Sequence, residues 1–219
     1  MNRFIKKCIR LFYAPLLLAY LKRDRYYRYQ GVKILIKRGV FHPGFFFSTK
    51  FLLKAINTFD IKNKTQLELG AGSGLISFVS EKKGAIVTAT DVNPIAINGL
   101  LHNKEHLNSN IEIRQSDLFD LIPNQVFDFV IINPPYYPRN PKSDAEKAWY
   151  CGEDFEYFKK LFKQLPNYIN SKSTVLISFS EDCKLSYIES IANENNLRFV
   201  LFERRMIMWE ENYIYKIIK

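Results

Sequence analysis

From residue 65 onward the chain alternates short apolar runs with stretches of helical spacing. The runs fall at 65–69, 86–90, 111–114, 127–132 and 174–179. Each has the length and continuity of a strand buried on both faces. Between them, residues 75–82, 94–107, 154–169 and 185–195 predict helices. Pro94 suits the first turn of its helix, where a missing N–H costs nothing. Strand and helix in alternation indicate a parallel sheet covered on both sides. The last two strand-like runs, 198–204 and 213–218, have no helix between them, so they are expected to pair antiparallel. The reading is α/β: a doubly wound, mainly parallel seven-stranded sheet that ends in an antiparallel strand pair.

The first 64 residues follow another pattern. Apolar and polar residues alternate around Gly31 and again before Gly39, which predicts a small β-hairpin or two short strands within 27–41. Ser48 is a candidate cap for a helix to about Phe59, with Phe51, Leu52, Ala55, Ile56 and Phe59 on one face. The apolar run 11–21 reads as a short helix interrupted by Pro15. Its eleven residues fall short of the roughly twenty that a membrane span needs. It imitates a signal peptide, but it runs into Lys22-Arg23-Asp24-Arg25 with no small-residue cleavage site. A helix packed on the domain is the plainer reading, and a helix lying on a membrane surface is the alternative.

Charge divides the chain at residue 40. Residues 1–40 hold eleven Lys and Arg against Asp24, and residues 41–219 balance 21 basic with 21 acidic residues, so the formal charge of +10 sits wholly in the N-terminal part. This suggests a basic arm, 1–40, and an electrostatically balanced domain, 41–219. Tyr26, Tyr27 and Tyr29 among Arg25 and Arg28 mix cations and flat rings as RNA-binding surfaces do; anionic lipid and a merely soluble basic face are the other options. Cys8, Cys151 and Cys183 form neither a disulfide framework nor a zinc spacing, which suits a reducing cytoplasm.

Candidate chemistry lies at the ends of the predicted strands. Glu68-Leu69-Gly70-Ala71-Gly72-Ser73-Gly74 follows the first parallel strand and opens a helix. Its glycines let the backbone turn tightly and approach a ligand, and the helix start offers unpaired N–H groups. The spacing is G-x-G-x-G, with Leu75 where a dinucleotide site has its third glycine. Glu68 is unfriendly to a pyrophosphate but suits a cation such as a sulfonium. Asp91, at the end of the next strand, can accept both hydroxyls of a ribose. Asp117, after the third strand, could face an adenine amino group.

The fourth strand runs into Asn133-Pro134-Pro135-Tyr136-Tyr137-Pro138. Three prolines in five residues stop the strand and stiffen the turn. The Asn133 side chain and the Pro134 carbonyl are both acceptors, so they suit a substrate –NH2. Tyr136 can stack on a flat amide or base. In an open parallel sheet, ligands bind where strands end, so these segments should share one crevice.

The sequence resembles a class I S-adenosylmethionine-dependent methyltransferase with the Rossmann-like fold, of the small-domain group that includes the HemK-type release-factor glutamine methyltransferases. The residues that carry the resemblance are Glu68 to Gly74, Asp91, Asp117 and Asn133-Pro134-Pro135-Tyr136, together with Val40 to Thr49 before the first helix of the domain. It implies S-adenosyl-L-methionine as cofactor, held by Glu68, Gly70, Ala71, Gly72, Gly74, Asp91, Val92, Asp117, Leu118 and Asn133. It implies that Asn133, Pro134, Pro135 and Tyr136 hold the accepting nitrogen, and that no general base or metal is required. Two features depart from that group. About forty residues stand in place of its helical N-terminal domain, and Ser48 stands where it has an acidic residue.

Three functions compete. The first is N-methylation of a glutamine side chain in a protein, such as a translation factor or ribosomal protein. The second is N6-methylation of adenine in RNA or DNA. The third is an inactive, cofactor-binding module on RNA or ribosomes. His102 and His106, four apart on a helix, read as a solvated face.

Overall fold

The computed structural model describes residues 21–45, 47–207 and 210–219. The helix expected at 11–21 lies almost wholly outside the described residues. Arg25–Tyr29 (β1) and Val32–Ile36 (β2) form the expected hairpin. Gln30 and Gly31 turn it at φ +48° and +75°, the left-handed pair that matches the twist of two-residue hairpins.

The hairpin is built into the domain. Val32, Ile34 and Ile36 share one buried cluster with residues of the first three helices. Asn103, fully buried, acts as a short piece of neighbouring strand: its Oδ1 accepts from Leu35 N (2.7 Å) and its Nδ2 donates to Leu35 O (2.9 Å). The charge boundary at residue 40 is therefore not a packing boundary.

The remaining strands are β3 (Thr65–Leu69), β4 (Ile86–Asp91), β5 (Glu112–Gln115), β6 (Phe129–Ile132), β7 (Thr174–Ser180), β8 (Arg198–Ile207) and β9 (Glu210–Ile218). They form one sheet in the order β5-β4-β3-β6-β7-β9-β8. The first five are parallel, and β9 pairs antiparallel with both β7 and β8. The closing pair arises as expected, although both strands are longer than the apolar pattern indicates and a bulge at Leu201/Glu203 shifts their register.

Strand alternation sorts the core into two layers. Phe129 and Ile131 face α1 (Phe47–Ile56), α2 (Leu75–Lys82) and α3 (Pro94–Leu107); Val130 and Ile132 face α4 (Glu156–Gln164) and α5 (Leu185–Asn193). Three boundaries move for visible reasons. Phe127 and Asp128 lie outside β6 because Phe127 N donates to Tyr168 O and the Asp128 carboxylate accepts from Thr65 N. The helix expected over 154–169 starts after Phe155, which sits at φ +59°, and gives way at Pro166 to a 3-10 turn, Leu165–Asn167. Ser48 lies inside the first turn of α1 rather than capping it. No helix among the described residues is long and apolar enough to cross a membrane.

Candidate active site

The chain leaves β3 and enters α2 through three left-handed glycines: Gly70 at φ +67°, Gly72 at +53° and Gly74 at +77°. Their surroundings differ. A Cβ on Gly70 would meet nothing within 4 Å, and one on Gly72 only Val40 Cγ1 at 3.7 Å. A Cβ on Gly74 would come within 2.3 Å of Leu100 Cδ2 and 2.8 Å of Phe78 Cε2. Gly70 and Gly72 thus border open space, whereas Gly74 lets α2 sit tightly on α3. Gly74, expected among the cofactor residues, does not line the cavity.

That cavity, about 620 Å³, lies at the carboxyl ends of β3, β4, β5 and β6. The size is ordinary for a small-molecule site. Its wall includes the other sequence-predicted residues: Glu68, Gly70, Ala71, Gly72, Asp91, Val92, Asp117, Leu118, Asn133, Pro134, Pro135 and Tyr136.

Glu68 is 5% exposed; its Oε2 accepts from Ser77 N (2.8 Å) and from the Ser77 hydroxyl. Burial outweighs those bonds and pushes the carboxyl up to about 8. An arriving cation favours its ionised form. Asp91 accepts from Gly72 N at 2.7 Å on one oxygen and from Asn93 N at 2.8 Å on the other. Burial raises its pKa also, against those backbone donors. Each oxygen keeps a lone pair for a further donor. The Asn93 side chain accepts from Ile95 N and so caps α3.

Asp117 is tied to α4. Lys160 Nζ lies 2.6 Å from both Asp117 Oδ2 and Asp120 Oδ2, which clamps the turn after β5. That turn holds Leu118 at φ +53°, with the Ser116 hydroxyl donating to Leu118 O at 2.9 Å.

On the opposite wall, Asn133 follows β6. Its Oδ1 accepts from the Ser178 hydroxyl at 2.8 Å. Ser178, on β7, is 2% exposed. A carbonyl oxygen has two lone pairs, so Asn133 can accept one more hydrogen bond. Tyr136 is partly buried, and burial raises its hydroxyl pKa well above the ordinary value. Beyond it the chain folds back as a flap: Tyr137 N donates to Trp149 O, Cys151 N to Tyr137 O and Gly152 N to Arg139 O. Trp149 in that flap meets Phe41 of the N-terminal segment with ring centroids 5.3 Å apart, and both line the cavity.

Several of these residues escape sequence reading. Ser178 and Ser180 stand at alternate positions of an otherwise apolar strand, a visible signal of a polar face. Lys160 carries no such signal, because it lies on the ordinary polar side of an amphipathic helix. His102 and His106 lie exposed on α3 with parallel rings 6.4 Å apart, consistent with a solvated face.

The family model for the methyltransferase small domain matches residues 31–149. The chain belongs to that family. This methyltransferase is 34% identical over 154 residues to a Methanocaldococcus jannaschii protein, a match covering 68% of the chain and 76% of the relative; the relative's name assigns it provisionally to protein N5-glutamine methylation. It is 32% identical over 93 residues to the Shewanella loihica tRNA1(Val) (adenine(37)-N6)-methyltransferase, which covers 38% of each protein. Among solved structures, the E. cuniculi Mtq2–Trm112 complex, which methylates the termination factor eRF1, matches 83% of the chain and 99% of its own with a TM-score of 0.64 at 20% identity. That likeness establishes the fold. The protein is an S-adenosylmethionine-dependent N-methyltransferase. The open space before Gly70, the buried acid Glu68 and the two-fold accepting Asp91 fit that cofactor.

Proposed function

We propose that this enzyme methylates the side-chain amide nitrogen of a glutamine in a protein. One observation carries the reading. Asn133 Oδ1 is held by Ser178 at 2.8 Å on the wall of the cavity that also contains Glu68 and Asp91. The M. jannaschii relative supports the choice of a glutamine.

S-adenosylmethionine supplies an electrophilic methyl group on a positively charged sulfur. The chain does the rest. Glu68, Gly70 and Gly72 would hold the methionine part, with Glu68 ionised when it faces a cation, and Ala71 would line the same side. Asp91 would accept the ribose hydroxyls. Asp117, Val92 and Leu118 would enclose the adenine. Asn133 Oδ1 and the Pro134 carbonyl accept the two hydrogens of the substrate –NH2. An amide nitrogen is a poor nucleophile because its lone pair is delocalised. Two acceptors drawing on its hydrogens would orient the lone pair and favour the pyramidal geometry that attack requires. Pro135 fixes the turn, and Tyr136 covers the flat face of the amide. The proton leaves to solvent after transfer.

Adenine N6 is the second reading. It rests on the flat aromatic lining, Phe41, Tyr136 and Trp149, and on the tRNA-modifying relative. The deciding experiment supplies tritiated S-adenosylmethionine to an extract lacking this protein and adds the purified enzyme. Glutamine methylation puts the label in protein, as N5-methylglutamine after digestion. Label in RNA, as N6-methyladenosine, overturns the first reading and favours the second.

A further inference from the structure

Away from the cavity, a second cleft of about 570 Å³ is lined by Lys22, Arg23, Asp24, Lys37, Arg38, Ile95 and Asn98. Its one acid is already neutralised. Asp24 pairs with Lys37 at 3.0 Å and accepts from Arg38 N at 2.9 Å, contacts that hold its carboxyl below the usual range. Lys22, Arg23 and Arg38 supply the rest of the positive charge that lines the cleft. The hairpin extends this charge with Arg28, whose register partner on β2 is Lys33.

The cations border a helix face that exposes two large apolar residues. Along α3, Ile95, Asn98, Leu101 and His102 follow one another at helical spacing, so they share a face. Ile95 is 43% exposed and Leu101 50%. That face continues through His106 to Tyr26 on β1, whose ring lies 6.5 Å from that of His106. In the sequence, the apolar run 11–21 leads straight into Lys22.

Two polyanionic partners fit the charge, and the details separate them. A nucleic acid needs free ring faces for its bases. The largest exposed ring here, Tyr26, already has Lys33 Nζ above it at 4.5 Å, and the exposed His102 and His106 rings are turned to each other. Exposed Ile95 and Leu101 offer nothing to a sugar-phosphate chain. They suit the boundary between headgroups and acyl chains, and cations beside an apolar segment suit anionic headgroups. We propose that the face made by Lys22, Arg23, Arg38, Ile95, Leu101 and Tyr26 docks this enzyme on a membrane surface rich in anionic lipid. The proposal does not depend on the acceptor. Arg38 is followed by Gly39 and Ile95 by Ala96, both of which line the catalytic cavity, so the docking face is carried by the same segments that wall the reaction site.

The test is flotation of the full chain with vesicles of phosphatidylcholine alone and of phosphatidylcholine mixed with phosphatidylglycerol. Binding is expected to the mixed vesicles only, falling as salt rises. Reversing Lys22, Arg23 and Arg38 to Glu should lower that partition by at least about 100-fold. Ile95→Ser with Leu101→Ser should lower it at least about 10-fold. All five positions are surface sites, so both variants should keep the wild-type melting temperature and its shift with S-adenosylmethionine. Equal flotation with both vesicle types, no flotation, or full binding by both folded variants overturns the proposal. So does tight, salt-sensitive binding of a single-stranded RNA oligomer that the charge reversal abolishes while vesicle binding persists.

Discussion

Gly70 and Gly74 stand four residues apart in one loop at nearly the same backbone angle, yet the structure assigns them opposite tasks. Replacing either with Ala forces a Cβ into the left-handed region, at a cost of about 1–2 kcal/mol. At Gly70 nothing is added to that, since the new methyl meets no atom within 4 Å. At Gly74 the methyl presses on Leu100 Cδ2 and Phe78 Cε2, both on side chains at most 2% exposed and locked in the core. Overpacking of this kind adds about 1–3 kcal/mol, so Gly74→Ala should lose about 2–5 kcal/mol against about 1–2 for Gly70→Ala. The order reverses for the cofactor. The methyl on Gly70 fills the space before the loop, whereas that on Gly74 points into the α2–α3 contact. Urea unfolding of each variant gives the first comparison. Melting with and without S-adenosylmethionine gives the second, because a ligand at one hundred times its Kd stabilises the native chain by about 2.7 kcal/mol. Gly70→Ala should lose most of that shift, and Gly74→Ala should keep it below its lowered melting temperature. Equal destabilisation by the two changes, or cofactor loss confined to Gly74→Ala, would refute the division of roles.

Three other outcomes follow from the same geometry. Glu68 titrates near 8 in the folded chain against 4.5 when unfolded, so the folded state binds its proton more tightly. The stability this confers is complete below pH 4.5 and lost as pH rises through about 8, at most roughly 4–5 kcal/mol; Glu68→Gln should flatten the decline in urea midpoint between pH 5 and 8. Ser178→Ala frees Asn133 Oδ1 from its one fixed partner and removes about 1 kcal/mol of positioning. It should lower kcat about 5- to 10-fold while the thermal shift with cofactor stays unchanged. Asn103→Leu strands the N–H and C=O of Leu35 in the core. A loss of about 2–4 kcal/mol is expected, seen as fast amide exchange in β2 relative to β3.

The sheet was legible because its signals are local. β3 appears at its predicted limits, since the glycine loop ends it. The starts of α2 and α3 follow from the left-handed Gly74 and from Asn93-Pro94. The convergence of Gly70, Asp91, Asp117 and Asn133 was legible too, because each ends a parallel strand and the topology brings those ends together. What the sequence hid depends on contacts between distant segments. The clamp of Asn103 on Leu35 spans 68 residues, and it joins to the core a hairpin that charge alone sets apart. Lys160 reaches Asp117 across 43 residues. Gly74 reads as part of a ligand loop, and only its neighbours Leu100 and Phe78 reveal a packing role.

In the proposed reaction, Asn133 presents a planar nitrogen to the methyl group of a cofactor seated elsewhere in the cavity. That role is measured by single-turnover methyl transfer from labelled S-adenosylmethionine to acceptor protein by Asn133→Ala and wild type, with cofactor affinity measured in parallel. Losing the Oδ1 acceptor should slow transfer by about 100-fold or more, with cofactor affinity within a few-fold of wild type. Transfer at the wild-type rate by the variant would rule out that role for Asn133.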